Sequence, residues 1–153
     1  MERLDKRAPF TATGGIIPPE FQNIKTPCYI LDEKALTENA KLLGEVAERT
    51  GCKMLLAQKA FSNYDCYPFF EPYLAGTEAS GLYEARLGAE EMAGKEVHVF
   101  CAGYRADEFE ELLQYADHIV FNSFSQWDMH KNTVQNSGRN IECGIRMKNI
   151  TGA

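Results

Sequence analysis

The chain has 153 residues, 44% of them hydrophobic and 25% charged, with a formal net charge of −6. That is the composition of an ordinary globular chain of one domain, and its acidic balance argues against nucleic acid or an anionic membrane as partner, since both select basic patches. No stretch reaches the ~20 apolar residues of a membrane span, and no apolar signal core follows the polar start Met1-Glu2-Arg3-Leu4-Asp5-Lys6-Arg7, so the sequence predicts a cytoplasmic protein.

Residues 1–25, with Gly14-Gly15 and Pro18-Pro19, read as an irregular lead-in. Cys28-Tyr29-Ile30-Leu31 follows Pro27 as a short strand ended by Asp32. Across 33–49, Leu36, Ala40, Leu43 and Ala47 share one helical face. Gly51 then supplies an easy left-handed cap. Met54-Leu55-Leu56-Ala57-Gln58-Lys59-Ala60-Phe61 is a short apolar run of the kind that forms a buried parallel strand. The aromatic segment 67–74 predicts a helix that is short or bent at Pro72.

Gly76 to Gly81 gives a brief strand and turn, and 82–93 a helix with Leu82, Ala85, Ala89 and Met92 inward. Glu96-Val97-His98-Val99-Phe100-Cys101 is a strand. The helix over 106–116 turns Phe109, Leu112, Leu113 and Ala116 to the core. His118-Ile119-Val120-Phe121 is a strand, 124–135 a helix, and Ile141-Glu142-Cys143-Gly144-Ile145-Arg146 the last strand. Strands and helices that alternate through short loops build right-handed βαβ units on a parallel sheet. An open doubly wound sheet and a (β/α) barrel both satisfy that pattern. No Gly-rich dinucleotide loop and no GK[ST] follows a strand, so nucleotide-binding versions lose support. A whole barrel takes about 250 residues, whereas five barrel-type strands precede Thr151-Gly152-Ala153.

Lys59 is the most informative residue. A lysine at the carboxyl end of a buried strand is disfavoured as ammonium by desolvation, and amines tuned in that way form Schiff bases with carbonyl compounds. The alternative is a packed stem with its charged head in water. The five cysteines (Cys28, Cys52, Cys66, Cys101 and Cys143) form no CxxC pair; an odd number within apolar runs predicts reduced, buried thiols. His98, His118 and His130 have no ligand-like spacing, so structural histidines are expected and no metal.

The wording of several segments resembles a known family. Thr26-Pro27-Cys28-Tyr29-Ile30-Leu31-Asp32 matches an opening shared among alanine-racemase-like (fold-type III) pyridoxal-phosphate proteins. Lys59-Ala60-Phe61-Ser62 and the stretch 79–88 (A-S-x-L-x-E-A-R-L-G) are narrower, and Asp117-His118-Ile119-Val120-Phe121-Asn122-Ser123 is a further match. They resemble the carboxynorspermidine (carboxyspermidine) decarboxylases, from about Thr26 to Arg146.

The resemblance implies that 26–153 is the N-terminal part of a pyridoxal 5'-phosphate-binding (β/α)8 barrel of the alanine racemase type, with about five of eight units present. It implies that Lys59 carries the cofactor covalently at the top of the first barrel strand, where barrel active sites form. Glu78 matches an acidic position near the cofactor, Glu84 another polar position on the cofactor side, and Arg146 a strand-end arginine near the cofactor. For Glu84 the other reading is a carboxylate complementing a helix N-terminus. For Arg146 it is a surface salt bridge, and within the site it has Glu78 or a cofactor oxygen to bind. Two places depart from the pattern: Gly81 stands where a second serine is expected, and Met147-Lys148-Asn149-Ile150 replaces an asparagine-proline turn.

The activity implied is pyridoxal-phosphate-dependent decarboxylation of carboxynorspermidine or carboxyspermidine to norspermidine or spermidine, in polyamine biosynthesis, by a cytoplasmic homodimer. The later strands would bring a ring-stacking histidine, the phosphate site and a C-terminal β domain, so the 153 residues alone are expected to be inactive. The alternatives are another fold-type III decarboxylase or racemase, acting on ornithine, diaminopimelate or alanine, or a barrel that binds the cofactor without turnover.

Overall fold

The computed structural model describes residues 23–147. The chain divides into two compact units, Met1–Leu31 and Asp32–Ala153. Most of the predicted lead-in over 1–25, and the segment from Lys148 onward, lie outside the described residues.

In the first unit, residues 23–31 carry no helix or strand, so the strand predicted at Cys28-Tyr29-Ile30-Leu31 is not formed. A strand is held by a ladder to a neighbour, and the five members of the sheet all come from the second unit. Extended propensity without a partner leaves only irregular chain.

The second unit begins with α1, Glu33–Thr50, whose N-cap Asp32 accepts a hydrogen bond from Ala35 N at 2.9 Å. Gly51 ends it in the left-handed region (φ 69°), with its N–H on Ala47 O. Of the predicted inner face, Ala40 is fully buried, while Leu43, in the middle of the helix, stays exposed. β1 follows at Leu55–Ala57, then a 3-10 turn at Tyr64–Cys66 running into α2, Tyr67–Phe70, which stops short of Pro72. The remaining elements are β2 (Gly76–Ala79), α3 (Leu82–Glu91), β3 (Glu96–Phe100), α4 (Ala106–Leu112), β4 (His118–Phe121), α5 (Phe124–Asn136) and β5 (Glu142–Ile145).

All five strands are parallel and stand in the order β1-β2-β3-β4-β5. A doubly wound sheet reverses its order at a switch point. This sheet never does, so the winding is the consecutive one expected of a barrel segment. With every strand parallel, all carboxyl ends lie along one edge. Gly76 is required by close approach: a Cβ there would stand 1.9 Å from Glu96 O on the paired strand.

Alternation sorts the side chains by face. Val97, Val99, Ile119 and Phe121 are buried with Phe109 and Leu112 of α4 in the main core. Burying a side chain the size of Phe109 or Phe121 is worth about 1.5–3 kcal/mol. A second cluster joins Ala40 of α1, Tyr67 and Phe70 of α2, and Met92 after α3. Glu96, His98, His118 and Val120 alternate with the core residues and are only half-buried, on the opposite face.

The cysteines depart from expectation. Cys66 is buried, and burial pushes its thiol pKa up, but Cys52 and Cys143 are exposed and Cys101 is intermediate. Cys143 lies on β5, a strand at the edge of the sheet, where residues keep solvent on one side.

Candidate active site

The carboxyl edge of the sheet gathers the residues that the sequence singled out. β1 is shorter than its apolar run suggested. Gln58 N still donates to Glu78 O (3.1 Å), extending the ladder by one step, and the chain then turns, with Ala60 N on Ala57 O at 2.9 Å. Lys59 lies in that turn.

Its ammonium stands 3.4 Å from Glu78 Oε2, and its side chain is 60% exposed. The burial expected for Lys59 is therefore absent: once the backbone leaves the sheet after Gln58, the side chain runs out over an open rim. Glu78, the third residue of β2, is 22% exposed. The pair is an amine accessible to a small carbonyl compound, with one carboxylate to orient it.

Glu84 sits in the first turn of α3, and its Oε2 accepts a hydrogen bond from Ser80 N at 2.6 Å. A carboxylate reaching back to an unpaired amide at a helix N-terminus is a capping contact. That contact occupies one oxygen of Glu84, as the helix-terminus reading anticipated. Gly81, the helix N-cap, makes no side-chain cap bond and has open space where a Cβ would stand.

Arg146 follows β5, its N–H bonded to Phe121 O at 2.8 Å. The guanidinium lies 5.0 Å from the centroid of the Phe100 ring, a cation–π contact. The ion pair recorded for Glu78 is with Lys59, and no pair joins Arg146 to Glu78 among the described residues. Lys59 and Glu78 are thus brought together, Glu84 is joined to the turn through Gln58, and Arg146 stands four strands from Lys59 and three from Glu78.

Gln58 was not singled out from the sequence. It is 1% exposed, its Oε1 accepts from Tyr67 Oη (3.0 Å), and its Nε2 donates to Glu84 O (2.8 Å). A glutamine inside an apolar run was the available signal, since a buried amide survives only when hydrogen-bonded.

His98 and His118 are paired structurally, as expected, but in a cluster that their spacing did not announce. The register pairs His98 of β3 with His118 of β4, and with Glu96 they bring three possible metal-donor atoms within 4.8 Å of one another. Spacing along the chain gave no warning, because strand pairing makes the neighbourhood. Both histidines are satisfied: His98 Nε2 lies 2.9 Å from Glu96 Oε2, and His118 Nδ1 lies 3.3 Å from Glu142 Oε2. The imidazole rings stack at 12°, so their ring-plane lone pairs run side by side and do not converge on one point.

No helix among the described residues is long and apolar enough to cross a membrane. No protein-family model matches the chain. Curated proteins do. Over 129 residues the chain is 36% identical to a protein named carboxyaminopropylagmatine decarboxylase from Synechocystis, a match covering 84% of this chain and 33% of that one. It is 36% identical over 125 residues to a carboxynorspermidine/carboxyspermidine decarboxylase from Campylobacter jejuni, covering 82% of this chain and 32% of the relative. A protein of the same name from Herminiimonas arsenicoxydans is 34% identical over 118 residues, 77% of this chain and 32% of its own length. Among solved structures, carboxynorspermidine decarboxylase of Campylobacter jejuni complexed with norspermidine superposes with a TM-score of 0.73 and 37% identity, over 78% of this chain and 31% of that one. These proteins are homologues of the chain, and the solved one shares its α/β fold, which bears out the resemblance carried by the motifs. The chain spans about a third of the length of the curated relatives it matches.

Proposed function

We propose that the protein carrying this chain is a pyridoxal-phosphate-dependent decarboxylase that converts carboxynorspermidine or carboxyspermidine to norspermidine or spermidine, in polyamine biosynthesis. The observation that supports it most is the likeness to a decarboxylase solved with norspermidine, together with an open amine, Lys59, beside Glu78 at the carboxyl edge of the sheet. The residues present fit part of the cofactor: an exposed primary amine suits its aldehyde, and a half-buried carboxylate stands at hand.

When bound, pyridoxal phosphate supplies a ring that takes up the electron pair released as CO₂ leaves an α-amino acid carbon. Lys59 would hold the cofactor and give it up to the substrate amine. Glu78 would orient the Lys59 amine and carry charge opposite to it. Arg146, whose guanidinium is held over Phe100, would serve anionic oxygens at the far side of the rim. Glu84 would act through its cap on Ser80, holding the turn between β2 and α3 in place. The full protein would act as a cytoplasmic homodimer.

One relative favours a second reading within the same chemistry. The match to a carboxyaminopropylagmatine decarboxylase is as close as the others, so a guanidino-terminated analogue is the rival substrate. Measuring CO₂ release from carboxynorspermidine, carboxyspermidine, carboxyaminopropylagmatine, ornithine and diaminopimelate decides between them. The proposal expects one of the first two to be turned over fastest. Faster turnover of carboxyaminopropylagmatine would install the second reading, and preference for ornithine or diaminopimelate would sink both.

A further inference from the structure

We infer that Gln58 is the positioning residue of Lys59, fixing the turn that presents the amine, an inference that rests on the cofactor reading above. Three hydrogen bonds meet at this one residue. Its backbone N–H bonds Glu78 O at 3.1 Å, its Nε2 bonds Glu84 O at 2.8 Å, and its Oε1 accepts from Tyr67 Oη at 3.0 Å. Gln58 is thus bonded to the backbone of both acidic residues of the site and is covalently joined to the lysine.

The orientation of the amide is fixed by chemistry. Tyr67 is fully buried, and burial followed by the charges of Glu84 and Glu91 pushes its pKa up to about 12, so the phenol keeps its proton and donates. Oε1 must face that donor, and Nε2 must then face the Glu84 carbonyl, which only accepts. Space for the amide comes from Gly88 of α3: a Cβ there would lie 3.1 Å from Gln58 Nε2 and 2.2 Å from Thr77 Oγ1. An apolar side chain would fill the cavity with less desolvation cost, so packing alone does not explain an amide here. Strand alternation sends Gln58 to the helix side and leaves Lys59 as the first residue free of the ladder.

The test uses the full protein that carries this chain, prepared without cofactor. Pyridoxal phosphate at limiting concentration followed by borohydride reduction and peptide mapping gives the share of pyridoxyl groups on Lys59 relative to Lys53 and Lys95. Gln58→Met, which removes both amide bonds at similar size, should lower that share about fivefold, the factor that one hydrogen bond commands. Gln58→Glu adds a readout that a merely structural role would not move. Its protonated carboxyl reproduces the donor and the acceptor, and burial raises its pKa, so the share should approach wild type near about pH 6 and fall about fivefold near about pH 9. A share unchanged in a folded Gln58→Met protein, or a Gln58→Glu share that tracks wild type at every pH, overturns the inference. Should Gln58→Met not fold, the Gln58→Glu profile decides. If wild-type Lys59 takes no pyridoxyl group, the cofactor reading falls instead, and acetic anhydride labelling of Lys59 in the same variants decides the positioning role, with the same fivefold change expected.

Discussion

The His98 ring lies flat against the His118 ring, with centroids 3.9 Å apart and planes 12° from parallel. Strand register places them so: the two residues are direct partners in the β3–β4 ladder. Glu96 serves the pair, with Oε2 at 2.9 Å from His98 Nε2 and 3.6 Å from His118 Nε2, while its other oxygen is bonded to the Lys53 ammonium.

That arrangement gives Glu96 an acid-side role. The hydrogen bond from Lys53, then that from His98, holds its carboxyl down from 4.5 to about 2. A depressed carboxylate adds stability above its unfolded value and loses it as pH falls through the folded one. Stability should therefore decline between pH 4.5 and about 2. Glu96→Gln should flatten that decline in urea unfolding at a series of pH values. An unchanged slope would show that the bridge contributes nothing.

Legibility in the sequence followed the physics of local signals. The far end of helix α1 was readable because Gly51 is a cap whose backbone chemistry is local, whereas Asp32, read only as the end of a strand, turns out to cap the near end. The strand at Cys28 was not readable, because a strand exists only with a partner and no local feature reports one. Lys59 and Glu78 were identifiable by their wording, and the structure brings them together. The half-turn that exposes Lys59, and the Gln58 anchor behind it, depend on Tyr67 and Glu84, which lie nine and twenty-six residues along the chain. The histidine stack rests on register between strands, which no periodicity encodes.

His130 contributes in a different pH range. It is buried on α5 against Phe109, ring centroids 4.1 Å apart, and its Nε2 has no hydrogen-bond partner. Burial lowers its pKa below 6.5, so the neutral form is favoured in the folded chain and stability falls as pH drops below that value. His130→Phe removes the orphaned nitrogen. It should stabilise the fold by about 1 kcal/mol or more at acid pH and remove the loss that begins near 6.5. Thermal unfolding of both proteins across that range checks it; parallel pH curves would contradict it.

Tyr104 bridges the carboxyl ends of two strands. Its hydroxyl lies 2.9 Å from Val120 O and 3.1 Å from Val99 O, and it accepts from Cys101 N at 3.3 Å. Its single proton serves one carbonyl at a time. Tyr104→Phe keeps the ring packing on Phe109 and Phe121 and removes the bridge, so it should cost about 1–3 kcal/mol in denaturant unfolding. A loss below about 0.5 kcal/mol would mean that the loop relaxes freely.

Gly81 and Gly76 should respond oppositely to substitution. Gly81 is extended (φ 176°), has nothing within 4 Å of a built Cβ, and caps α3 without a side-chain bond. Gly81→Ser should therefore be tolerated and add a few tenths of a kcal/mol or more by capping. Gly76→Ala would drive a methyl into the Glu96 carbonyl and should destabilise by about 1–3 kcal/mol. Melting temperatures measured side by side test the contrast, and a destabilised Gly81→Ser would remove the capping argument.

Lys59→Arg separates charge from nucleophilicity at the candidate site. The guanidinium keeps a positive charge for Glu78, now 3.4 Å from the lysine nitrogen, and the 60% exposure of the side chain leaves room for the larger head. Stability should therefore change by no more than about 0.5 kcal/mol, as for most surface substitutions. Chemistry should not survive. An arginine stays protonated at any working pH and offers no free electron pair to a carbonyl, so covalent capture of pyridoxal phosphate is lost. Decarboxylase activity of the full protein should then fall by on the order of 10³-fold or more, the scale of losing a group that acts in the transition state. Borohydride reduction with peptide mapping reads the first effect, and CO₂ release the second. A variant that still takes a pyridoxyl group on another lysine and keeps most of its turnover would move the cofactor's anchor away from Lys59. Loss of both with an unchanged melting curve would assign the anchor to this one amine, whichever substrate the full protein takes.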